Sequence, residues 1–150
     1  MSATYIKTDG FLLKKTFVLT DIEFQEIGTK PYLLFTPTIN EFTSIVFAGL
    51  YILNNTIDFN FGSLKRLAIG SKNNAQISYA VSQLGVYNGD NFYNFTFGRF
   101  DATGTYYSGG RYDIRPVIDK EIYLSTTDGV NSPSGDGTVY LEILYYNISR

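Results

Sequence analysis

Any catalytic chemistry in this sequence has to come from carboxylates, hydroxyls and amines, because its 150 residues include no histidine and no cysteine. The missing histidine excludes the commonest general base, the commonest metal ligand and every Ser-His-Asp arrangement. The missing cysteine excludes disulfides, zinc–thiolate centres and thiol nucleophiles. A carboxylate pair can still hydrolyse a glycoside, but no spacing among the 14 Asp and Glu residues selects two for one cleft. We therefore predict that the protein is not an enzyme and uses no cofactor.

One oxygen-rich segment, "TTDGVNSPSGDG" from Thr126 to Gly137, contains enough oxygen ligands for a calcium ion. It lacks the EF-hand spacing and the bidentate glutamate at the twelfth position. Asp and Asn residues beside glycine are turn formers first, and Gly135 and Gly137 allow a positive φ and a sharp reversal. We predict a turn here and no metal site.

A second loop, "TGTYYSGGRY", is the candidate partner-binding segment, because Tyr106, Tyr107, Arg111 and Tyr112 lie within seven residues. Tyrosine and arginine are over-represented at the energetic centres of protein interfaces. The functional interpretation is a loop that meets a neighbouring protein or a cell-surface glycan. The alternative is a hairpin tip whose aromatic residues are incidental.

The elements that position these residues are predicted to be strands. The 13 Tyr and 12 Phe residues make up 17% of the chain, and such side chains pack well on a half-buried pleated surface. Apolar residues alternate with period two, and no long segment has the helical period. The turn spacing predicts an all-β protein: one jelly-roll-like antiparallel β-sandwich of about eight strands over residues 1–150. Residues 1–15 are a candidate extended N-terminal arm.

Three local patterns sharpen this prediction. Thr20 and Glu23 have the spacing of a capping box, which favours one helical turn over continued strand. The apolar run 42–53 predicts a strand buried on both faces, with Gly49 at a bulge or a close backbone approach. The run 93–97 alternates aromatic and polar residues, which is typical of a half-solvated strand.

The last strand has apolar residues on both faces. One face is an ordinary core face with Val139, Leu141 and Ile143. The other face holds Tyr140, Leu144, Tyr146 and Ile148. A sandwich normally keeps one face of each sheet polar, so these four residues form a candidate subunit interface with another copy of the chain. The alternative is that loops of the same chain cover this face.

The charge and hydropathy of the sequence argue against nucleic acid and membranes as partners. The net charge is −2 and the basic residues are scattered, whereas a nucleic-acid binder needs a basic stripe. No apolar run approaches the roughly 18 residues of a membrane span, and we see no signal peptide. We expect no nucleic acid and no membrane among the partners.

Several segments, in order, resemble the small jelly-roll virion proteins of tailed bacteriophages, which are capsid decoration, head-fibre or tail-associated proteins. They are "LTDIE", "GTKPYLLFTP", "SIVFAGLYILNNTIDFNFGS", "LKRLAIG" and the closing "DKEIYLSTTDGVNSPSGDGTVYLEILYYNI". The resemblance covers roughly residues 16–148. It departs from the family pattern at "TINEF", where the family often has glycine, and over 73–115, which matches only in strand character.

The resemblance implies a non-enzymatic virion structural protein that is assembled in the host cytoplasm. It implies self-association as a homotrimer and attachment to major capsid or tail proteins, with no catalytic residues to carry over. The alternative function is a carbohydrate-binding or receptor-binding module, whose tyrosines would stack on the sugar rings of a host surface glycan.

Overall fold

Eleven strands and one short helix make up the described parts of the chain. The computed structural model describes residues 12–36, 38, 40–62, 67–70, 78–81, 86–100, 121–127 and 129–149. The elements are β1 (Leu13–Leu19), α1 (Asp21–Gln25), β2 (Tyr32–Phe35), β3 (Glu41–Leu53), β4 (Phe59–Asn60), β5 (Leu67–Gly70), β6 (Ser78–Val81), β7 (Val86–Tyr87), β8 (Tyr93–Asn94), β9 (Thr96–Phe100), β10 (Ile122–Thr126) and β11 (Thr138–Ser149).

Two antiparallel sheets pack as a sandwich. The front sheet has the strand order β1-β11-β3-β8, and the back sheet has the order β2-β10-β5-β6-β9. The pairs β1·β11, β2·β10, β3·β8 and β5·β6 are nested in the sequence, as in a long hairpin rolled into two layers. This nesting is the jelly-roll arrangement. The predicted fold class is therefore confirmed, and the strand count exceeds eight because β4, β7 and β8 are two-residue strands.

The core lies between the sheets and is built by alternation along each strand. In β11 the residues Val139, Leu141 and Ile143 are fully buried, while their neighbours are half-buried on the outer face. Leu67 and Ile69 of β5 face them from the back sheet. The period-two pattern therefore gives the inward face of both sheets correctly.

Helix α1 forms because its N-terminus is capped by side chains. The Glu23 backbone N–H donates to the Thr20 hydroxyl at 3.2 Å, and the Thr20 backbone N–H donates to the Glu23 carboxylate at 2.8 Å. Each contact satisfies a donor that a short helix would otherwise leave open. The predicted helical turn is confirmed, and the alternative of a continued strand is wrong.

We expect Thr20→Ala to lower the free energy of unfolding by about 1 kcal/mol, because it removes the acceptor of the capping bond. Urea denaturation followed by circular dichroism measures the change. Thr16→Ala, at an exposed strand position, is the control for losing a threonine outside the helix cap. Equal losses in the two variants would show that the cap contributes nothing specific.

Five aromatic side chains close one end of the sandwich, and we call them the end cluster. Phe24 of α1 lies at its centre, with ring-centroid distances of 4.8 Å to Phe59, 5.4 Å to Phe61 and 6.2 Å to Tyr87, all edge-to-face. Tyr87 in turn packs edge-to-face on Tyr93 at 4.8 Å. The cluster fastens the helix and the small β4–β7 sheet to the core, since edge-to-face pairs add to the energy of burial.

Three sequence predictions need correction. The run 93–97 is not one strand: β8 belongs to the front sheet and β9 to the back sheet, and the chain crosses between them at Phe95. Strand β3 is not buried on both faces, and its bulge lies at Val46, opposite the Leu144/Tyr145 step, and not at Gly49. Residues 13–15 belong to β1, paired with β11, and not to an arm. The remainder of the predicted arm, residues 1–11, lies outside the described residues.

Candidate functional site

The candidate site is the outer surface of the front sheet, where strand register aligns apolar side chains in a row. Val18 of β1 lies opposite Tyr140 of β11, and Tyr140 lies opposite Tyr51 of β3. Phe92 precedes β8 and continues the row at the far edge, beside Tyr51. Cross-strand neighbours on one face are close enough to contact, so four strands contribute to one apolar surface.

The rings of this row lie nearly parallel. Tyr51 and Tyr140 have centroids 5.0 Å apart and planes 5° apart. Phe92 lies 6.1 Å from Tyr51 and 6.2 Å from Phe47, with interplanar angles of 24° and 7°. Adding Val18 and Leu144, which flank these rings, gives the surface that we call the aromatic face: Val18, Phe47, Tyr51, Phe92, Tyr140 and Leu144.

The Phe92 ring packs directly against Gly49. A Cβ atom at Gly49 would lie 2.3 Å from Cζ of Phe92 and 2.9 Å from Cζ of Phe47. No side chain larger than hydrogen fits there without displacing the rings. The close approach predicted at Gly49 is therefore present, although a side chain makes it and not the backbone.

The aromatic face combines ring packing with exposure. Phe92 and Val18 remain 48% and 50% exposed, while the other four residues are half-buried by one another. Among the described residues, the hydroxyls of Tyr51 and Tyr140 have no hydrogen-bond partner. The surface thus offers apolar area together with free polar tips, the combination that makes tyrosine common at interfaces.

Charge on this surface is balanced within the chain. By register, the charged residues that the described front-sheet strands place on the outer face are Lys14 and Glu142. Their side chains form a salt bridge at 3.0 Å. Glu142 lies between Tyr140 and Leu144 on β11, and Lys14 lies opposite Leu144 on β1. The aromatic face therefore includes one neutralised pair and carries no net charge from these strands.

The back sheet differs from the front sheet on its outer side. Tyr123 and Ser125 of β10 and Ala68 of β5 point away from the core, yet all three are buried in the single chain. Both faces of these central strands are consequently closed to solvent. On the back sheet the described open apolar position is Leu33 at the edge strand β2, whereas the front sheet carries a contiguous open apolar surface.

The residues predicted from the last strand fall on this open side. Tyr140, Leu144 and Tyr146 are half-buried on the outer face of β11. The backbone of Ile148 pairs with Phe42, while its side chain lies outside the described part of the structure. The predicted loop residues Tyr106, Tyr107, Arg111 and Tyr112 also lie outside the described residues. Their role stays a prediction.

Sequence reasoning missed Phe92, Phe47 and Tyr51 as members of the site. Phe92 follows an Asn-Gly-Asp-Asn turn, and turn residues carry no periodic signal of which face they will cover. The usable signal was Gly49, a glycine inside an apolar strand, which indicates that something approaches closely.

The oxygen-rich segment forms a clamp on the loop after β3. Oδ1 of Asp136 accepts from the backbone N–H groups of Thr56 and Ile57 at 2.6 and 2.7 Å, and its other oxygen accepts from the Thr56 hydroxyl. These hydrogen bonds, first the one from the Thr56 hydroxyl, lower the pKa of Asp136. Gly135 and Gly137, with φ of +133° and +98°, supply the predicted turn. The Asp136 carboxylate thus accepts hydrogen bonds from backbone N–H groups of the loop after β3.

The clamp predicts a specific pH dependence. A lowered folded-state pKa means that the contribution of Asp136 is fully present above the ordinary value of 3.8 and is lost as the pH falls through the lower folded value. We expect Asp136→Asn to destabilise the protein at neutral pH, with the difference from wild type shrinking below about pH 3.8. Urea unfolding across this range measures it. Asp90→Asn, on an exposed turn, is the control, and a pH-independent difference for Asp136→Asn would contradict the assignment.

Among the described residues, no three acidic side chains are close enough to hold a metal ion. The helical part of the described chain contains no segment that is long and apolar enough to cross a membrane. The hydroxyl of Tyr123 donates to the Glu121 carboxylate, and this hydrogen bond raises the pKa of Tyr123.

Comparison of the chain with models of protein families, with curated proteins and with solved structures gives no match. The relation to phage virion proteins therefore stays a prediction from the sequence. The jelly roll itself is shared by proteins of many unrelated functions.

Proposed function

We propose that this chain is a non-enzymatic structural protein of a bacteriophage particle, which self-associates and attaches to the capsid or tail. The observation that supports self-association most directly is the aromatic face. Contiguous apolar surface is rarely left open on a monomeric protein and usually belongs to an interaction site. The phage context rests on the ordered motifs that resemble jelly-roll virion proteins.

The proposed mechanism is adhesion. Copies of the chain bury apolar surface against one another, and the assembled unit docks on the particle through other surfaces. Homotrimers in the virion, assembled in the host cytoplasm, are the form that the resemblance implies. The jelly roll suits this role because long paired strands such as β3 and β11 hold the surface residues in fixed register.

The first test is the mass of the purified chain by light scattering over a dilution series. We expect a stable multiple of 16.9 kDa, and three times that mass for the homotrimer. The second test adds purified protein to phage particles that lack it and measures rebinding by sedimentation. A single-chain mass at every concentration would contradict self-association, and failure to rebind would contradict attachment to the particle.

A second candidate function, a carbohydrate-binding or receptor-binding module, is favoured by the surroundings of Phe92. Phe92 is exposed, and the polar residues Asp90, Asn91 and Asn94, which lie within two residues of it in the sequence, are exposed as well. Sugar sites commonly combine an apolar ring surface with convergent polar groups. In that case Phe92→Ala abolishes saturable binding on a glycan array, while Leu33→Ala on the back sheet leaves it unchanged. An array without signal for the wild-type protein would reject this function.

A further inference from the structure

We infer that the aromatic face of one copy packs against the aromatic face of another, so that the front sheets meet face to face and not edge to edge. This inference rests on the self-association in the proposed function and names the surface that carries it. A patch that meets its own copy forms a two-fold contact, so this contact alone gives twice 16.9 kDa, and a homotrimer would need a different, heterologous contact. The partner is a second copy of this chain, and the contact lies on Val18, Phe47, Tyr51, Phe92, Tyr140 and Leu144.

The charge distribution favours a second copy over a charged partner. Around a two-fold axis a surface meets its own copy, so an uncompensated charge would lie near its like. The outer charges of the described front-sheet strands, Lys14 and Glu142, already neutralise each other at 3.0 Å. Nothing described on this face would therefore repel its own copy. A strongly charged partner, in contrast, would find no complementary charge here.

The aromatic face is the apolar centre of the contact and not the whole of it. It runs over five residues, from Tyr140 to Leu144 on β11 and from Phe47 to Tyr51 on β3. With a rise of about 3.4 Å per residue and four chain segments spaced about 4.8 Å apart, its plan area is about 330 Å². Each partner in a standard interface buries about 800 Å², so the rest of the contact has to come from the residues that surround the face.

Edge-to-edge pairing at β1 is disfavoured by its lysines. The Lys15 side chain turns towards the core side, where its Nζ lies 4.7 Å from the ring centroid of Phe17 and 5.1 Å from that of Phe35. It also donates to the Leu34 carbonyl at 3.4 Å. Lysines at an edge, and charges that point inward there, are features that prevent strands from adding to a sheet. At the β1 side of the front sheet, the surface open to a second copy is thus the face and not the edge.

Phe92 and Val18 are the positions at which to test the contact, because they are exposed and lie at opposite ends of the row. Burying an aspartate in an apolar contact is costly. Phe92→Asp and Val18→Asp are therefore each expected to lower the mass in solution to that of one chain, 16.9 kDa, at concentrations where the wild-type protein is an oligomer. Leu33→Asp, at a comparably exposed site on the back sheet, should leave the mass at the wild-type multiple. Circular dichroism and a cooperative thermal transition establish that each variant is folded.

The outcomes separate this inference from the proposed function. If both folded variants kept the oligomeric mass of the wild-type protein, the face-to-face contact would be overturned, while self-association itself would stand. A wild type that is single at every concentration would overturn both, and would assign the face to a different protein or to a glycan. Dissociation by Leu33→Asp but not by the two face variants would place the contact on the back sheet instead.

Discussion

Phe24→Ala is expected to lower the free energy of unfolding by about 3–5 kcal/mol, the range for truncating a buried phenylalanine. Phe24 is fully buried at the centre of the end cluster, in edge-to-face contact with Phe59, Phe61 and Tyr87. Three ring contacts and the burial of one ring are lost together. A domain of ordinary stability has only about 5–15 kcal/mol in total, so this single change removes a large part of it.

The control lies on the same helix. Ile22 is 62% exposed, and Ile22→Ala is expected to change the free energy of unfolding by less than about 0.5 kcal/mol. Phe24→Leu, which keeps part of the buried volume, should fall between the two. Urea or thermal denaturation measures all three variants. If Phe24→Ala and Ile22→Ala were equally mild, the end cluster would not hold the helix to the sandwich.

Gly135→Ala is expected to cost about 3 kcal/mol or more, from a strained backbone and a steric overlap together. Gly135 has φ of +133°, and a Cβ there would lie 2.1 Å from Cδ1 of the buried Phe59. Relief would require moving Phe59, which packs on Phe24. The turn that precedes β11 and the end cluster therefore depend on the same glycine.

Gly129→Ala separates the two contributions. Gly129 also has a positive φ, of +75°, but the nearest atom to its Cβ position is the Gly28 carbonyl oxygen at 3.5 Å. The substitution there should cost only about 1–2 kcal/mol, from the backbone conformation alone. The difference between the two variants, measured by denaturation in the same buffer, isolates the overlap with Phe59. Similar losses at both positions would show that the overlap is relieved at little cost.

The stability variants Phe24→Ala and Gly135→Ala also serve as controls for the surface variants Phe92→Asp and Val18→Asp. The end cluster and the aromatic face lie on different sides of the front sheet, since Tyr93 points into the core while Asn94 points outward. A core variant that unfolds the domain would abolish association indirectly. Phe92→Asp and Val18→Asp alter exposed positions, so a change in mass with an unchanged thermal transition reports on the contact itself.

Much of the fold was predictable because its determinants are local. Period-two alternation identified the core face of β11. The capping residues Thr20 and Glu23 indicated α1, and the glycines around Asp136 indicated the turn. Each signal arises within a few residues, where side chain and backbone interact directly.

The site was only partly predictable for the opposite reason. The outward position of Tyr140 and Leu144 follows from alternation, but their neighbours follow from pairing between strands far apart in sequence. Asp136 was interpreted as a turn residue, yet its carboxylate binds the loop at Thr56, eighty residues earlier in the chain. No local pattern contains such distant partners.

By itself, the sequence determined an all-β jelly roll, a last strand with an apolar outer face, and the absence of histidine and cysteine chemistry. Only the tertiary structure fixes that Phe92 covers Gly49, that the chain changes sheets at Phe95, and that β5 and β10 are buried on both faces while Phe92 and Val18 stay exposed on the front sheet. The physical reason is that alternation assigns a side chain to one of two faces, whereas strand order and packing assign what lies on that face beside it.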